Sequence, residues 1–248
     1  MTRVITLCLL LLSSADLSGQ TARVEADHVF VFVSRGGEAE ADALRQLGFA
    51  VGSGVTKHIG QGTASRSVYF GNAYFEMIWV DSTVAISEDT REAAGEMHRV
   101  AAWRTTGVSP FGLGLRHLEG PDEYGVPATR FSAEWMEPGS AIVLLNQSTE
   151  QFAFKVFVVP NYMAVPAWVG ELEQEAPALL QHSNGARRIT GIEIRGSVTQ
   201  HARAARTLSI PGFRLHEAND PMLVIELDEG AAGVTHDLRP LMPVTIHR

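Results

Sequence analysis

The stretch Ala73–Val80, AYFEMIWV, sets one carboxylate, Glu76, inside a run of aromatic, aliphatic and thioether side chains. A buried carboxylate without a partner is costly, so Glu76 implies a donor, an opposite charge or a metal ion beside it. The candidate partner opens ADHVFVFV, where His28 shares one face of a strand with Phe30 and Phe32. On its own strand Glu76 aligns with Tyr74, Ile78 and Val80. If the two strands are neighbours, imidazole and carboxylate converge and can exchange a proton or take part in a divalent-ion site. A second polar group lies between them in KHIGQGTAS: His58, Gln61, Thr63 and Ser65, with Gly60 and Gly62 allowing close approach of a ligand to the backbone. An equal alternative is a glycine-rich connection between strands. Plainer roles exist for the others as well. His28 can bond a neighbouring backbone group, and Glu76 can pair with Arg66 or Arg116. His117 and Arg116 can be solvated at a strand end, and Tyr69, Tyr74 and Trp135 suit either a flat ligand or a core.

These residues need elements to hold them. HVFVFV reads as a strand ending at the turn residues Ser34–Gly37, and EAEADALRQLGF as a helix with Ala41, Leu44 and Leu47 on one face, stopped by Gly48. FAVGSGV is expected as a strand weakened by Gly52 and Gly54. RSVYFGNAYFEMIWV is expected as a hairpin turning at Gly71-Asn72. A helix is predicted from about Glu88 to Trp103, with Ala93, Met97 and Val100 at helical spacing and Ser87 as N-cap. FGLGLRH, RFSAEWM, SAIVLLN and FAFKVFVV follow as strands, with a hairpin turn around Glu137–Ser140. Residues 160–185, with Pro166 and Pro177, read as a linker with one short helix. ITGIEIRG, a helix with its exit in TQHARAARTLSIPGF, and strands FRLHE and PMLVIEL then resume the opening order. LRQLGF and RTLSIPGF fall at equivalent places, a weak mark of duplication.

The segment before these elements has the features of an export signal. Arg3 supplies the positive start, VITLCLLLL the apolar core, and SSADLSGQ a small polar stretch in which cleavage could follow Ala15 or Gly19. That core is about half the ~20 residues needed to span a bilayer, which points to a secreted or periplasmic protein rather than an anchored one. The chain's one cysteine, Cys8, lies in this signal. The mature protein then has no disulfide, no cysteine nucleophile and no thiolate metal ligand. A net charge of −8 over 248 residues argues against a nucleic-acid or anionic-membrane partner, since both need a basic face. Motifs of serine hydrolases, zincins, P-loops and dinucleotide-binding domains do not occur. Asn146-Gln147-Ser148 matches a glycosylation sequon.

DHVFVFV, the helix ending in LGF, and KHIGQGTASRSVYFGNAYFEMIWV together resemble the glyoxalase-like branch of the vicinal oxygen chelate superfamily, over about Asp27–Val80. FGLGLRH, EWMEPGSAI and ITGIEI are similar to its continuation, less specifically. The resemblance implies an α+β fold of paired βαβββ modules whose mixed sheets curl around a cleft. It implies an activity among lyases, isomerases, ring-cleaving dioxygenases, epoxide hydrolases or drug-binding resistance proteins. By position, His28 matches the first-strand metal ligand and Glu76 the last-strand ligand of one module. Two more ligands are expected from equivalent strands. ITGIEI offers Gly191 or Ile192 there, FGLGLRH no ligand at its start, and neither His117 nor Glu226 is in register.

The expected layout is therefore a signal over 1–19, an N-terminal βαβββ module over 24–83, a helix and strand-rich segment over 84–160, and a diverged linker and βαββ half-module over 161–248. The expected function is action on a small organic molecule, with a divalent ion (Mn, Ni, Zn or Fe) on His28 and Glu76 polarising vicinal oxygens. Glu76 doubles as base, His58 or His117 shuttles a proton, and Gln61, Thr63, Tyr74, Arg116 and Trp135 contact substrate. The alternative is a metal-free small-molecule-binding module of the same fold. Modules of this kind pair within a chain or between chains, the latter giving a homodimer.

Overall fold

A computed structural model of the chain describes residues 23–88, 90–120, 123–145, 155–196 and 208–248. The export signal, the sequon and most of the helix expected in TQHARAARTLSIPGF fall outside the described residues.

Alternating apolar residues build the first module. Strand β1 (Arg23–Phe32) buries Val29 and Val31 on one face and His28 and Phe30 on the other. Helix α1 (Glu38–Gln46) packs Ala41 and Leu44 onto the valine face. Strands β2 (Thr56–His58), β3 (Thr63–Tyr69) and β4 (Tyr74–Val80) complete the unit. The hairpin at Gly71-Asn72 forms as the sequence predicts. The strand expected at FAVGSGV does not. Pairing begins at Thr56, and His58 and Thr63 face each other in the β2–β3 ladder instead of lying in a loop.

Helices α2 (Arg91–Ala101) and α3 (Trp103–Thr106) lead into β5 (Phe111–Glu119), β6 (Ala128–Phe131), β7 (Ile142–Leu145) and β8 (Lys155–Val159). Thr90, not Ser87, precedes α2, and the Ser87 hydroxyl bonds that of Thr90 at 2.8 Å. RFSAEWM is strand only as far as Phe131. Together β1–β8 form one mixed sheet in the order β2-β3-β4-β1-β5-β8-β7-β6. Pairs β1/β4 and β5/β8 are parallel, while β1/β5 is antiparallel. The segment β5–β8 is thus a second module related to the first by a pseudo-two-fold axis between β1 and β5.

After α4 (Val165–Glu175), strands β9 (Ile189–Gly196), β10 (Phe213–Glu217), β11 (Met222–Leu227), β12 (Thr235–Asp237) and β13 (Val244–His247) make a smaller sheet, β10-β9-β11-β13-β12. Its strand senses repeat those of β4-β1-β5-β8-β7 in the large sheet. The sequence reading stopped at β11 and did not foresee β12 and β13. One connected cluster joins α1, the valine face of the large sheet and the inner face of the small one, through Leu44, Val29, Phe75, Leu113, Ile192, Leu223 and Ile225. No helix of the described residues is long and apolar enough to cross a membrane.

Candidate functional site

The opposite face of the large sheet carries the polar residues. Ladder register puts His28 beside Tyr74 and Phe30 beside Glu76, and on the other side of β4 sets Ser67 beside Glu76 and Tyr69 beside Tyr74. Two helices cover this face at its ends. Val100 and Met97 of α2 pack with Phe30, Phe32 and Ile78, and Lys155 of β8 is tied to Glu96 at 2.6 Å. Trp168 of α4 packs against Tyr69 and Tyr74, with ring centroids at 5.6 and 5.9 Å. Along β4, Glu76 therefore lies between a residue under α4 and a residue under α2.

Glu76 keeps 10% of its side chain accessible, with His58 Nε2 3.4 Å from Oε1. His58 reaches this point because β2 pairs antiparallel with β3. Its Nδ1 lies 2.8 Å from the Thr63 hydroxyl and its Nε2 3.2 Å from that of Ser65. Burial opposes ionisation of Glu76. The hydrogen bond and charge of His58, the charge of His28 and the Ser65 hydroxyl outweigh it and hold the carboxyl below its usual range. The neighbouring phenols move the other way. Burial, then the negative charges of Glu76 and Asp27, push Tyr74 well up, and burial likewise raises Tyr69. Both are therefore neutral hydroxyls at ordinary pH.

His28 is set by a residue that sequence reasoning missed. Asp27 sits at the β-bulge of β1 and is 1% exposed. Its Oδ1 lies 3.0 Å from His28 Nδ1, while Oδ2 accepts from Val165 N at 2.8 Å and lies 3.5 Å from Arg116 Nη1. The His28 ring stacks on Tyr74 at 4.5 Å and meets Phe157 edge-on at 5.3 Å. Space for it comes from Gly114 on β5, where a Cβ would lie 2.2 Å from His28 Cε1. Gly112 makes the same room for Phe30, at 2.1 Å.

The other candidates fall into different places. Thr63 is fully buried and holds His58, a positioning contact rather than a ligand contact. The Gln61 backbone N–H donates to the His58 carbonyl at 2.9 Å within the β2–β3 turn. The Arg116 guanidinium is taken up by Glu25 at 2.6 Å and the Asn72 carbonyl at 2.7 Å. That removes it both as a substrate clamp and as the partner of Glu76. Arg66 pairs instead with Glu38 at 2.6 Å. His117 alternates onto the same face of β5 as Leu113 and Leu115, away from Glu76, and its buried Nε2 has no partner among the described residues. Trp135, 40% exposed, stands in the connection between β6 and β7, the strands at the far edge of the sheet from β2. Trp168, absent from the expected set, is the aromatic that meets the site. Its sequence offers only a tryptophan on a short helix, which does not say where that helix docks.

A divalent ion does not fit these donors. Taken through the ladder pair His28–Gly114, the pseudo-two-fold axis exchanges the pair Phe30–Glu76 with Arg116–Val159. The second module thus has Gly114 and Val159 where the ligands should stand, and neither supplies a donor. In the first module the bond from His28 Nδ1 to Asp27 leaves Nε2 free, so His28 and Glu76 supply two donors of one half-site and no more. Among the described residues no three His, Cys, Asp or Glu side chains gather to hold a metal.

A family model described as a glyoxalase-like domain matches residues 26–208. Among solved structures, a hypothetical protein from Staphylococcus aureus is similar in fold at TM-score 0.54 and 10% identity, over 90% of this chain and 98% of that one. No curated protein matches the chain by sequence.

Proposed function

The chain belongs to the glyoxalase-like domain family of the vicinal oxygen chelate superfamily, and from that premise we propose that its Glu76 face is a metal-free binding site for a small organic molecule. One observation carries this reading. Glu76, an almost buried carboxylate kept ionised, keeps a tenth of its side chain accessible between the covers of α2 and α4, while the second module lacks both metal donors. The ligand would sit over β1, β3 and β4, with Tyr69, Tyr74 and Trp168 as its apolar wall and Glu76 with His58 as its polar anchor. The same pair can pass a proton between carboxylate and imidazole, so acid–base chemistry on the bound molecule is open to this site. Export through the N-terminal signal belongs to the same proposal and rests on the pattern of Arg3 and VITLCLLLL.

Metal analysis of the purified mature protein and melting titrations with Mn²⁺, Ni²⁺, Zn²⁺ and Fe²⁺ test it, alongside a small-molecule thermal-shift library. Expected are no stoichiometric ion, no metal-induced rise, and library hits whose stabilisation disappears in Glu76→Gln. A ligand at a hundred times its Kd stabilises by about 2.7 kcal/mol, ample for detection. A near-stoichiometric ion whose stabilisation is lost in both His28→Ala and Glu76→Gln would overturn the proposal.

A further inference from the structure

We infer that the Glu76 site takes a small organic cation with N–H donors, a protonated amine on a flat apolar body, seated between the Glu76 carboxylate and the rings of Tyr69, Tyr74 and Trp168. This rests on the binding role proposed above and adds the charge of the ligand.

Glu76 has acceptor capacity that the protein does not fill. A carboxylate offers about four lone-pair sites. Among the described residues only the His58 ring, at 3.4 Å, and the Ser65 hydroxyl serve it, and these two are within 3.2 Å of each other. No backbone N–H, lysine or arginine reaches it among the described residues. The cations on this face are spent elsewhere: Arg116 on Glu25 and Asn72, Lys155 on Glu96. A ligand with donors can fill these sites, and a charged donor makes the stronger bond to a carboxylate.

The surroundings fit the same chemistry. Tyr69, Tyr74 and Trp168 meet pairwise at 5.6–5.9 Å, a packed aromatic wall beside the carboxylate. One face of Tyr74 is taken by His28, and the ring surface left on Tyr69 and Trp168 attracts a cation and accepts a flat apolar body equally well. An anionic ligand would face Glu76 with Asp27 behind it, and both charges are felt at the Tyr74 hydroxyl.

A charge series with nearly constant shape tests this on the full mature protein: 2-phenylethylamine, 2-phenylethanol and 3-phenylpropionate, titrated by calorimetry at pH 7.5. Expected is amine binding at least tenfold tighter than the alcohol, with the carboxylate weakest. Glu76→Gln should erase the preference, and Trp168→Leu should weaken all three binders several-fold while leaving their order. The comparison on wild type alone decides the matter if a variant folds poorly. Equal binding of alcohol and amine, stronger binding of the carboxylate, or a preference that survives Glu76→Gln overturns the inference. So does silence from all three probes. Neutral or anionic library hits that depend on Glu76 would leave the binding site standing without its cation, whereas a blank library with three blank probes removes both.

Discussion

His58 is held on both sides of its ring, by the Thr63 hydroxyl at Nδ1 and by Ser65 and Glu76 at Nε2. Thr63 is buried, so Thr63→Val keeps the shape but leaves the imidazole nitrogen without its partner. The expected cost is about 1–3 kcal/mol in urea unfolding, with weaker binding of any ligand that needs a fixed His58. Glu76 sets a separate pH signature. Its carboxyl titrates below the ordinary 4.5 in the folded protein, so the unfolded chain takes up the proton first as pH falls. The stability it contributes is complete above about pH 4.5 and disappears as pH drops through the lowered value. Glu76→Gln is expected to flatten that acid limb in melting-temperature profiles, and an unchanged limb would show the shift to be absent. Glu76 and His28 stood out in the sequence because each breaks an apolar alternation. Asp27 did not, since its role depends on a bulge and on Val165, far along the chain, and neither leaves a local pattern.

At the scale of elements, β1 and β4 were legible because both faces of a central strand are buried and the residues are correspondingly apolar. The β2 strand was not. It is a short edge strand of Thr, Lys and His, mostly exposed, and its pairing is set by β3 rather than by its own composition. FAVGSGV has the more strand-like residues and forms none, so His58 read as a loop residue. The β5 glycines were visible as FGLGLRH, but only the antiparallel β1/β5 register shows what they do. Gly114→Ala would bring a methyl group to 2.2 Å from His28 Cε1, and neither the ring, stacked on Tyr74, nor the β5 backbone has free room to yield. A loss of about 1–3 kcal/mol is expected, as for other overpacked sites. Wild-type-like stability with an intact binding site would mean that His28 is not locked against β5. Gly185→Ala, at an open turn, does not serve as a control because its φ of 85° is left-handed. Gly196→Ala meets nothing within 4 Å among the described residues, and a change of under ~1 kcal/mol is expected there.

At the scale of the molecule, the two sheets share a core, and a few buried polar bonds fix the chain that leads from one to the other. His182 makes two of these. Its Nδ1 accepts the Ala50 N–H at 2.9 Å and its Nε2–H donates to the Tyr69 carbonyl at 3.0 Å. That arrangement requires the neutral ring, because a protonated Nδ1 would meet the Ala50 N–H donor to donor. Burial between Phe49 and Phe70 pushes the imidazole below its ordinary 6.5, more than the Tyr69 carbonyl and Asp228 raise it. The unfolded chain therefore binds the proton more readily than the folded one, and stability rises with pH across this range. The contribution is complete well above pH 6.5 and falls as pH drops below that value, separately from the Glu76 limb at lower pH. Tyr69 packs on Tyr74 and Trp168, so the bond that His182 makes to its carbonyl also steadies the aromatic wall of the site. Urea unfolding from pH 8 to 5 should show wild type losing stability as it crosses the histidine range. His182→Gln should start lower, by about 1–3 kcal/mol for each backbone partner left unpaired, and should change less with pH. Parallel curves for the two proteins would assign the slope to another histidine and leave His182 as packing alone.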